Sequence, residues 1–334
     1  MFQTEPILFL QALASGWLTW AMATVTSMGY VPFYVVVIGG IMLGLDLRRG
    51  FVLAQVVIWT NLVTDIAKWC FALPRPTDVD AAVIDPRRGT ANPTPWLSRG
   101  ATGFLALPDA EAIASFRAQP SRSFGFPSGH VSTTVALWGG LTVVFARRFL
   151  LVCTLVAAPL MALSRMYLGR HFLADVLGGA ALGGLVVVMA RALLAGERAP
   201  LPLLRLTDLA SLATPRRLAV AAWLVAAPLA LTTLGGIIDR QRIGQLLGLN
   251  LAYLALAARG LPNAAPGWPR ALARVALGAV IGSLAAIGVG LAAGLGLPGG
   301  GTAVGRIASG MPPAFLLLWG TVTLGRRLGL YRAD

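Results

Sequence analysis

Three short motifs hold the only lysine and the only two histidines of this chain. Lys68 opens K-x6-R-P with Arg75 and Pro76. His130 closes Pro127-Ser128-Gly129-His130. His171 lies in S-R-x5-H-x3-D with Ser164, Arg165 and Asp175. Every other basic residue is an arginine. Fixed cations, a nucleophilic side chain and a proton donor are the groups that phosphoryl transfer needs.

His171 and Asp175 are four apart at the start of an expected helix, so they share a face. A carboxylate on one imidazole nitrogen sets the tautomer and leaves the other nitrogen free to attack. A solvated His–Asp surface pair has the same spacing. Arg165 precedes His171 across a tight turn, Leu168-Gly169-Arg170, and its planar fork matches phosphate oxygens. Arg170 itself reads as a flanking surface arginine. Ser128 and Gly129 begin a helix, whose unpaired N–H groups make a seat for phosphate, or Ser128 is simply an N-cap. His130 follows them and could protonate a leaving oxygen. If the preceding helix runs to Leu73, Lys68 and Arg75 lie two turns apart, roughly 10 Å, on one face. The bland reading of Lys68 is a snorkelling side chain paired with Asp65. Asp78, Asp80 and Asp85 read as solvated loop acids, and no acidic cluster has metal-ligand spacing. No metal and no cofactor is expected.

The elements that must hold these residues are helices in a membrane. The 334 residues are 57% hydrophobic and 12% charged, against about 25% charged in ordinary soluble domains. Apolar runs at 7–27, 30–46, 51–73, 129–146, 149–165, 172–190, 217–238, 243–258, 271–295 and 311–325 approach the length that crosses a bilayer. The first is the least apolar and either spans or lies at the interface. The expected fold is an all-α polytopic transmembrane bundle: a core of about six spans in 1–195, a Pro-rich linker at 196–216, and about four more spans in 217–334. The net charge of +14 comes as short arginine pairs between spans, which argues against a nucleic-acid partner and for membrane topology. No basic segment precedes the first apolar run, so a cleavable leader is not expected. Cys70 and Cys153 both fall in expected spans, so no disulfide is expected.

The polar segment 74–127 interrupts the core. Its prolines, including Pro93, Pro95 and Pro120, exclude a continuous helix, although 109–118 reads as a short surface helix with Ile113 and Phe116 on one side. Both ends of the segment are motifs, which favours a functional loop. Gly179 and Gly183, and Gly278 and Gly282, form G-x-x-x-G pairs suited to close helix packing or to pairing with a second copy. Arg48, Arg49, Arg147, Arg148, Arg191, Arg198, Arg216, Arg217, Arg259, Arg270, Arg274, Arg326, Arg327 and Arg332 fall on the face opposite the motifs. The positive-inside rule makes that face cytoplasmic, so the motifs face outward. Composition rich in Ala, Leu, Gly and Arg points to a bacterial protein, hence to the inner membrane and its periplasmic side.

The three motifs together resemble those of the type 2 phosphatidic acid phosphatase family. Its superfamily includes glucose-6-phosphatase, sphingosine phosphate phosphatases and vanadium haloperoxidases. The resemblance covers about residues 30–195 and leaves 217–334 unexplained. It implies that His171 is the nucleophile and forms a phosphohistidine, that Asp175 orients it, and that His130 is general acid and then base. Lys68, Arg75, Ser128, Gly129 and Arg165 would bind the phosphoryl oxygens in place of a metal. The implied function is removal of phosphate from a lipid phosphomonoester or pyrophosphate, such as phosphatidic acid, phosphatidylglycerol phosphate, a polyprenyl pyrophosphate or a sphingoid phosphate. Two other readings stay open: a lipid phosphotransferase using the same intermediate, and a lipid-handling transporter with a vestigial phosphate site.

Overall fold

The computed structural model describes residues 1–88, 100–119, 124–195, 198–234, 236–295 and 302–332. Pro93, Pro95 and Pro120 of the polar segment lie outside them. The described residues are almost wholly helical and contain no strand beyond one isolated bridge between Ala264 and Tyr331.

The chain forms two compact units that interleave in sequence. One comprises Met1–Tyr34 and Val56–Met189; the other comprises Val35–Gln55 and Ala190–Asp334. The first unit holds every motif. Its helices are α1 (Glu5–Ala12), α2 (Gly16–Ser27), the start of α3 (Val31–Gly39), most of α4 (Leu47–Phe71), and α5 (Pro76–Val79). They are followed by α6 (Ala110–Arg117), α7 (Gly129–Phe145), α8 (Arg148–Tyr167) and α9 (Leu173–Ala190). α1, α2 and α7 pack on α8. Asp109 caps α6 by accepting from the N–H groups of Glu111 at 2.9 Å and Ala112 at 3.3 Å. Phe116 is buried and Ile113 packs against the core, so α6 is the short amphipathic helix its sequence suggests.

Each of the ten apolar runs is helical over most of its described residues, but 7–27 is divided between α1 and α2 by Leu13, Ala14 and Ser15. By length and composition, six helices among the described residues are suited to cross a membrane, or seven if the bent pair Gly16–Ser27 and Val31–Leu45 is one span. Gly129–Phe145 is shorter than these. The helix at Arg240–Ala257 opens on Arg240, Gln241 and Arg242, which lowers its apolarity. Large apolar side chains along α8, such as Phe149, Val152, Leu155 and Val156, are exposed. A soluble fold would bury such a stripe; in a bilayer it meets lipid.

The glycine pairs serve packing inside their own units. A Cβ on Gly179 would lie 2.5 Å from the Ser128 carbonyl oxygen, and one on Gly183 would lie 2.5 Å from that of Ser132. Glycine therefore lets α9 approach the start of α7. In the second unit a Cβ on Gly278 would meet Leu43 and one on Gly282 would meet Leu317.

Arg274 departs from its expected place among the topology-setting arginines. It is 1% exposed. Its guanidinium donates to the carbonyls of Leu43 at 2.7 Å, Gly44 at 2.7 Å, Ala265 at 3.1 Å and Leu330 at 2.7 Å. A buried cation persists when its N–H groups are satisfied, and these four carbonyls do that within the second unit.

Candidate active site

α4 ends earlier than expected. Ala72 takes a left-handed backbone conformation, φ 48°, and its N–H closes the last turn on the Lys68 carbonyl at 2.8 Å. Lys68 and Arg75 therefore do not share one helix face. Lys68 stays in the last turn of α4, and Arg75 becomes the N-cap residue of α5. There the Arg75 N–H donates to Asp78 Oδ2 at 2.8 Å, and its Nη1 donates to the Arg170 carbonyl at 3.4 Å. Asp78 is buried, with a capping task rather than a solvated one.

Lys68 does not snorkel outward. Its Nζ donates to the carbonyls of Phe124 at 2.6 Å and Gly125 at 3.3 Å. The Gly125 N–H in turn donates to the Leu73 carbonyl at 2.8 Å. The lysine thus ties the end of α4 to the stretch of chain that enters Pro127-Ser128-Gly129-His130. The Phe126–Pro127 peptide bond is cis.

Ser128 stands at the N-cap position of α7, yet its hydroxyl makes no capping bond. The residue is 0% exposed. Its N–H donates to the Asp175 backbone carbonyl at 2.8 Å, which fixes the second motif to the third. Gly129 faces Lys68, since a Cβ there would lie 3.9 Å from Lys68 Cε.

His171 lies just before α9 rather than inside its first turn, because Leu173 is the first helical residue. Asp175 reaches back to it. Asp175 Oδ2 lies 3.2 Å from His171 Nδ1 and accepts from the Phe172 N–H at 2.9 Å. Both side chains are buried, at 2% and 0% exposure, so this is not a solvated surface pair. Burial first, then the charges of Arg75, Arg165 and Lys68, hold the His171 imidazole well below its usual pKa, and so neutral.

Arg165 is 5% exposed. Its Nη1 donates to Thr26 Oγ1 at 2.8 Å, and its neighbour Ser164 donates to the Met22 carbonyl at 2.7 Å. Arg170 is held at the rim: its Nη2 lies 3.2 Å from Asp85 Oδ2, which also takes Arg87 Nη2 at 2.6 Å. Burial opposes the Asp85 charge, but hydrogen bonds and charge from Arg87, with Arg170 beyond, hold its pKa below the usual carboxylate value. Asp85 is therefore an ion-pair partner rather than a free loop acid.

Four buried polar atoms of the motifs have no hydrogen-bond partner among the described residues: Ser128 Oγ, His130 Nε2, Arg165 Nε and Asp175 Oδ1. Buried polar groups in folded proteins are normally paired. Their concentration in the second and third motifs, which meet through the Ser128 N–H and the Asp175 carbonyl, marks a place built for a polar ligand. Among the described residues, no three His, Cys, Asp or Glu side chains are grouped to hold a metal ion.

Motif spacing is silent on residues 1–34, which the structure brings to the site. Gln11 donates to the carbonyls of Ile84 at 2.6 Å and Tyr167 at 3.0 Å, and accepts from the Ile84 N–H at 3.2 Å. Thr19 and Tyr167 share a hydrogen bond of 2.7 Å between their hydroxyls. With Met22 and Thr26 these residues fasten the turn that carries Arg165. The Met28-Gly29-Tyr30 interruption between two apolar runs is the one sequence signal that this stretch is more than a span.

Residues 49–198 match a family model described as PAP2 superfamily. Decaprenylphosphoryl-5-phosphoribose phosphatase of Mycobacterium tuberculosis, in strains CDC 1551 / Oshkosh and ATCC 25618 / H37Rv, is 36% identical over 105 residues. The match covers 27% of this chain and 56% of each relative, so the chain spans little more than half the length of these curated relatives. A solved structure described as the first transmembrane PAP2 type phosphatidylglycerolphosphate phosphatase from Bacillus subtilis aligns over 56% of this chain and 82% of its own. That alignment has 22% identity and a TM-score of 0.39. The segment that matches the PAP2 superfamily model contains all three motifs, from Lys68 to Asp175.

Proposed function

We propose that the chain is an integral membrane phosphatase that removes phosphate from a lipid-linked phosphate ester or pyrophosphate. The reading is carried by the four buried polar atoms of motif residues that have no partner among the described residues. A tetrahedral phosphoryl group offers acceptors to Ser128 and Arg165 and a leaving oxygen to His130, and a water carries a donor to Asp175.

The reaction follows from these contacts. Asp175 occupies Nδ1 of His171, which leaves Nε2 as the nucleophile. A bond forms from Nε2 to phosphorus as the bond from phosphorus to the leaving oxygen breaks, and His130 gives that oxygen its proton. Water then attacks the phosphohistidine, its proton passes to His130, and inorganic phosphate leaves. Lys68, Arg75, Arg165, the Ser128 hydroxyl and the Gly129 N–H stabilise the charge on the phosphoryl oxygens through both steps.

Exposed apolar helix surfaces and the exposed Trp69 beside Lys68 support a substrate that reaches the site from the membrane, because tryptophan favours the headgroup level. The name of the curated relatives supports a polyprenyl-linked phosphate as the first compound to assay. The arginine distribution supports a site facing the periplasm of a bacterial inner membrane.

A phosphate-release panel on purified protein in detergent tests the reading, using polyprenyl, diacylglycerol and sphingoid phosphates with and without EDTA and vanadate. We expect release that survives EDTA, is blocked by vanadate and is abolished in His171→Ala. Release that persists in His171→Ala would refute the mechanism, and release only with an added acceptor lipid would make the protein a transferase.

A further inference from the structure

The interruption between α2 and α3 lies against the proposed proton donor. Gly29 is so close to His130 that a Cβ would lie 2.3 Å from Cδ2 and 2.9 Å from Cγ. Tyr30 then sets its ring edge-on to the imidazole, with centroids 4.7 Å apart and planes at 84°. His130 Nε2 has no hydrogen-bond partner among the described residues. A histidine in a proton-transfer site is usually held by a hydrogen bond on its second nitrogen. Here the imidazole is flanked by Gly29 and Tyr30. An edge-to-face pair of this kind is attractive and has a preferred geometry.

We propose that Tyr30 is a positioning residue for His130, holding the imidazole where it can protonate the leaving oxygen. Gly29 is required because only a residue without a Cβ lets the break approach the ring. Tyr30 is itself 46% exposed, so one side of it stays open while the other meets the imidazole. This inference rests on the phosphatase reading, because it gives Tyr30 a role only in a step where His130 moves a proton.

That step offers a test that general damage to the fold would not mimic. An alkyl leaving group, as in a lipid phosphate, needs a proton as its bond to phosphorus breaks. An aryl leaving group such as p-nitrophenolate does not. kcat/KM reports phosphoenzyme formation for both. General acid catalysis contributes roughly 10²–10⁴-fold, so a mispositioned acid should lose about tenfold or more on the alkyl ester and little on the aryl ester.

The experiment measures kcat/KM of wild type, Tyr30→Ala, Tyr30→Leu, Tyr30→Phe and His171→Ala on a lipid phosphate and on p-nitrophenyl phosphate. We expect Tyr30→Ala to lower the alkyl-to-aryl ratio about tenfold, and Tyr30→Phe to restore it to within about twofold. Tyr30→Leu keeps bulk without the ring edge and should follow Tyr30→Ala; it decides the question if the alanine variant does not fold. An unchanged ratio in Tyr30→Leu, or equal losses on both substrates, overturns the inference while loss of all release in His171→Ala leaves the phosphatase reading intact. Full release from both substrates in His171→Ala overturns both.

Discussion

One carboxylate oxygen of Asp175 serves both the His171 ring and the Phe172 backbone, at 3.2 and 2.9 Å. The contact therefore fixes the imidazole relative to the start of α9. Asp175→Asn keeps the volume but removes the charge: its amide either keeps an oxygen between Nδ1–H and the Phe172 N–H as a weaker, neutral acceptor, or turns an N–H against both. We expect kcat for phosphate release to fall about 100-fold or more, with unfolding temperature nearly unchanged. Activity within a few-fold of wild type would show that the Asp175 charge is dispensable to His171.

His171 is held neutral by burial and by Arg75, Arg165 and Lys68. A lowered pKa keeps this proposed nucleophile unprotonated as pH falls through the usual imidazole value of about 6.5. The acid limb of kcat/KM that belongs to His171 should lie below the ordinary imidazole range. Arg75→Gln removes a neighbouring charge and should move that limb upward as overall activity drops. A wild-type limb at the ordinary imidazole value would contradict the burial and charge argument.

Ser128 buries a hydroxyl without a partner among the described residues. An unsatisfied buried polar group costs about 1–3 kcal/mol. Ser128→Ala should therefore leave the ligand-free protein as stable as wild type or about 1 kcal/mol more stable, while phosphate release falls. Thermal unfolding paired with the phosphate assay checks both halves. A variant that is both less stable and less active would show that the hydroxyl is a structural cap.

Gly179 lets α9 approach the Ser128 carbonyl, where an added Cβ would sit at 2.5 Å. Gly179→Ala has to push the helix from the backbone that carries the second motif. We expect about 1–3 kcal/mol of destabilisation together with a loss of kcat, because Ser128 and His171 move apart. Gly184→Ala, whose Cβ would meet nothing within 4 Å among the described residues, is the matched control and should be neutral or slightly stabilising.

The motif residues stood out in the sequence because rare residue types at fixed spacing leave few alternatives. The helical fold was legible because apolar runs in so uncharged a chain have few other uses. The breaks were harder. Ala72 ends α4 before Pro74, and no composition rule makes alanine left-handed. Arg274 looked like a topology signal because burial of a guanidinium depends on four carbonyls from distant segments. Thr26 and Tyr30 were hidden for the same reason: a hydroxyl meeting Arg165 and a ring meeting His130 are tertiary facts with no local period.

The Thr26 contact has a practical consequence for where the gene is cut. A polypeptide trimmed to the family match would retain Lys68, Arg75, Ser128, His130, Arg165, His171 and Asp175. It would nevertheless release Arg165 Nη1 from its 2.8 Å hydroxyl partner and uncover one side of the His130 ring. Every motif side chain would be present in such a fragment, yet Arg165 and His130 would each have lost a neighbour that packs or bonds against it in the full chain.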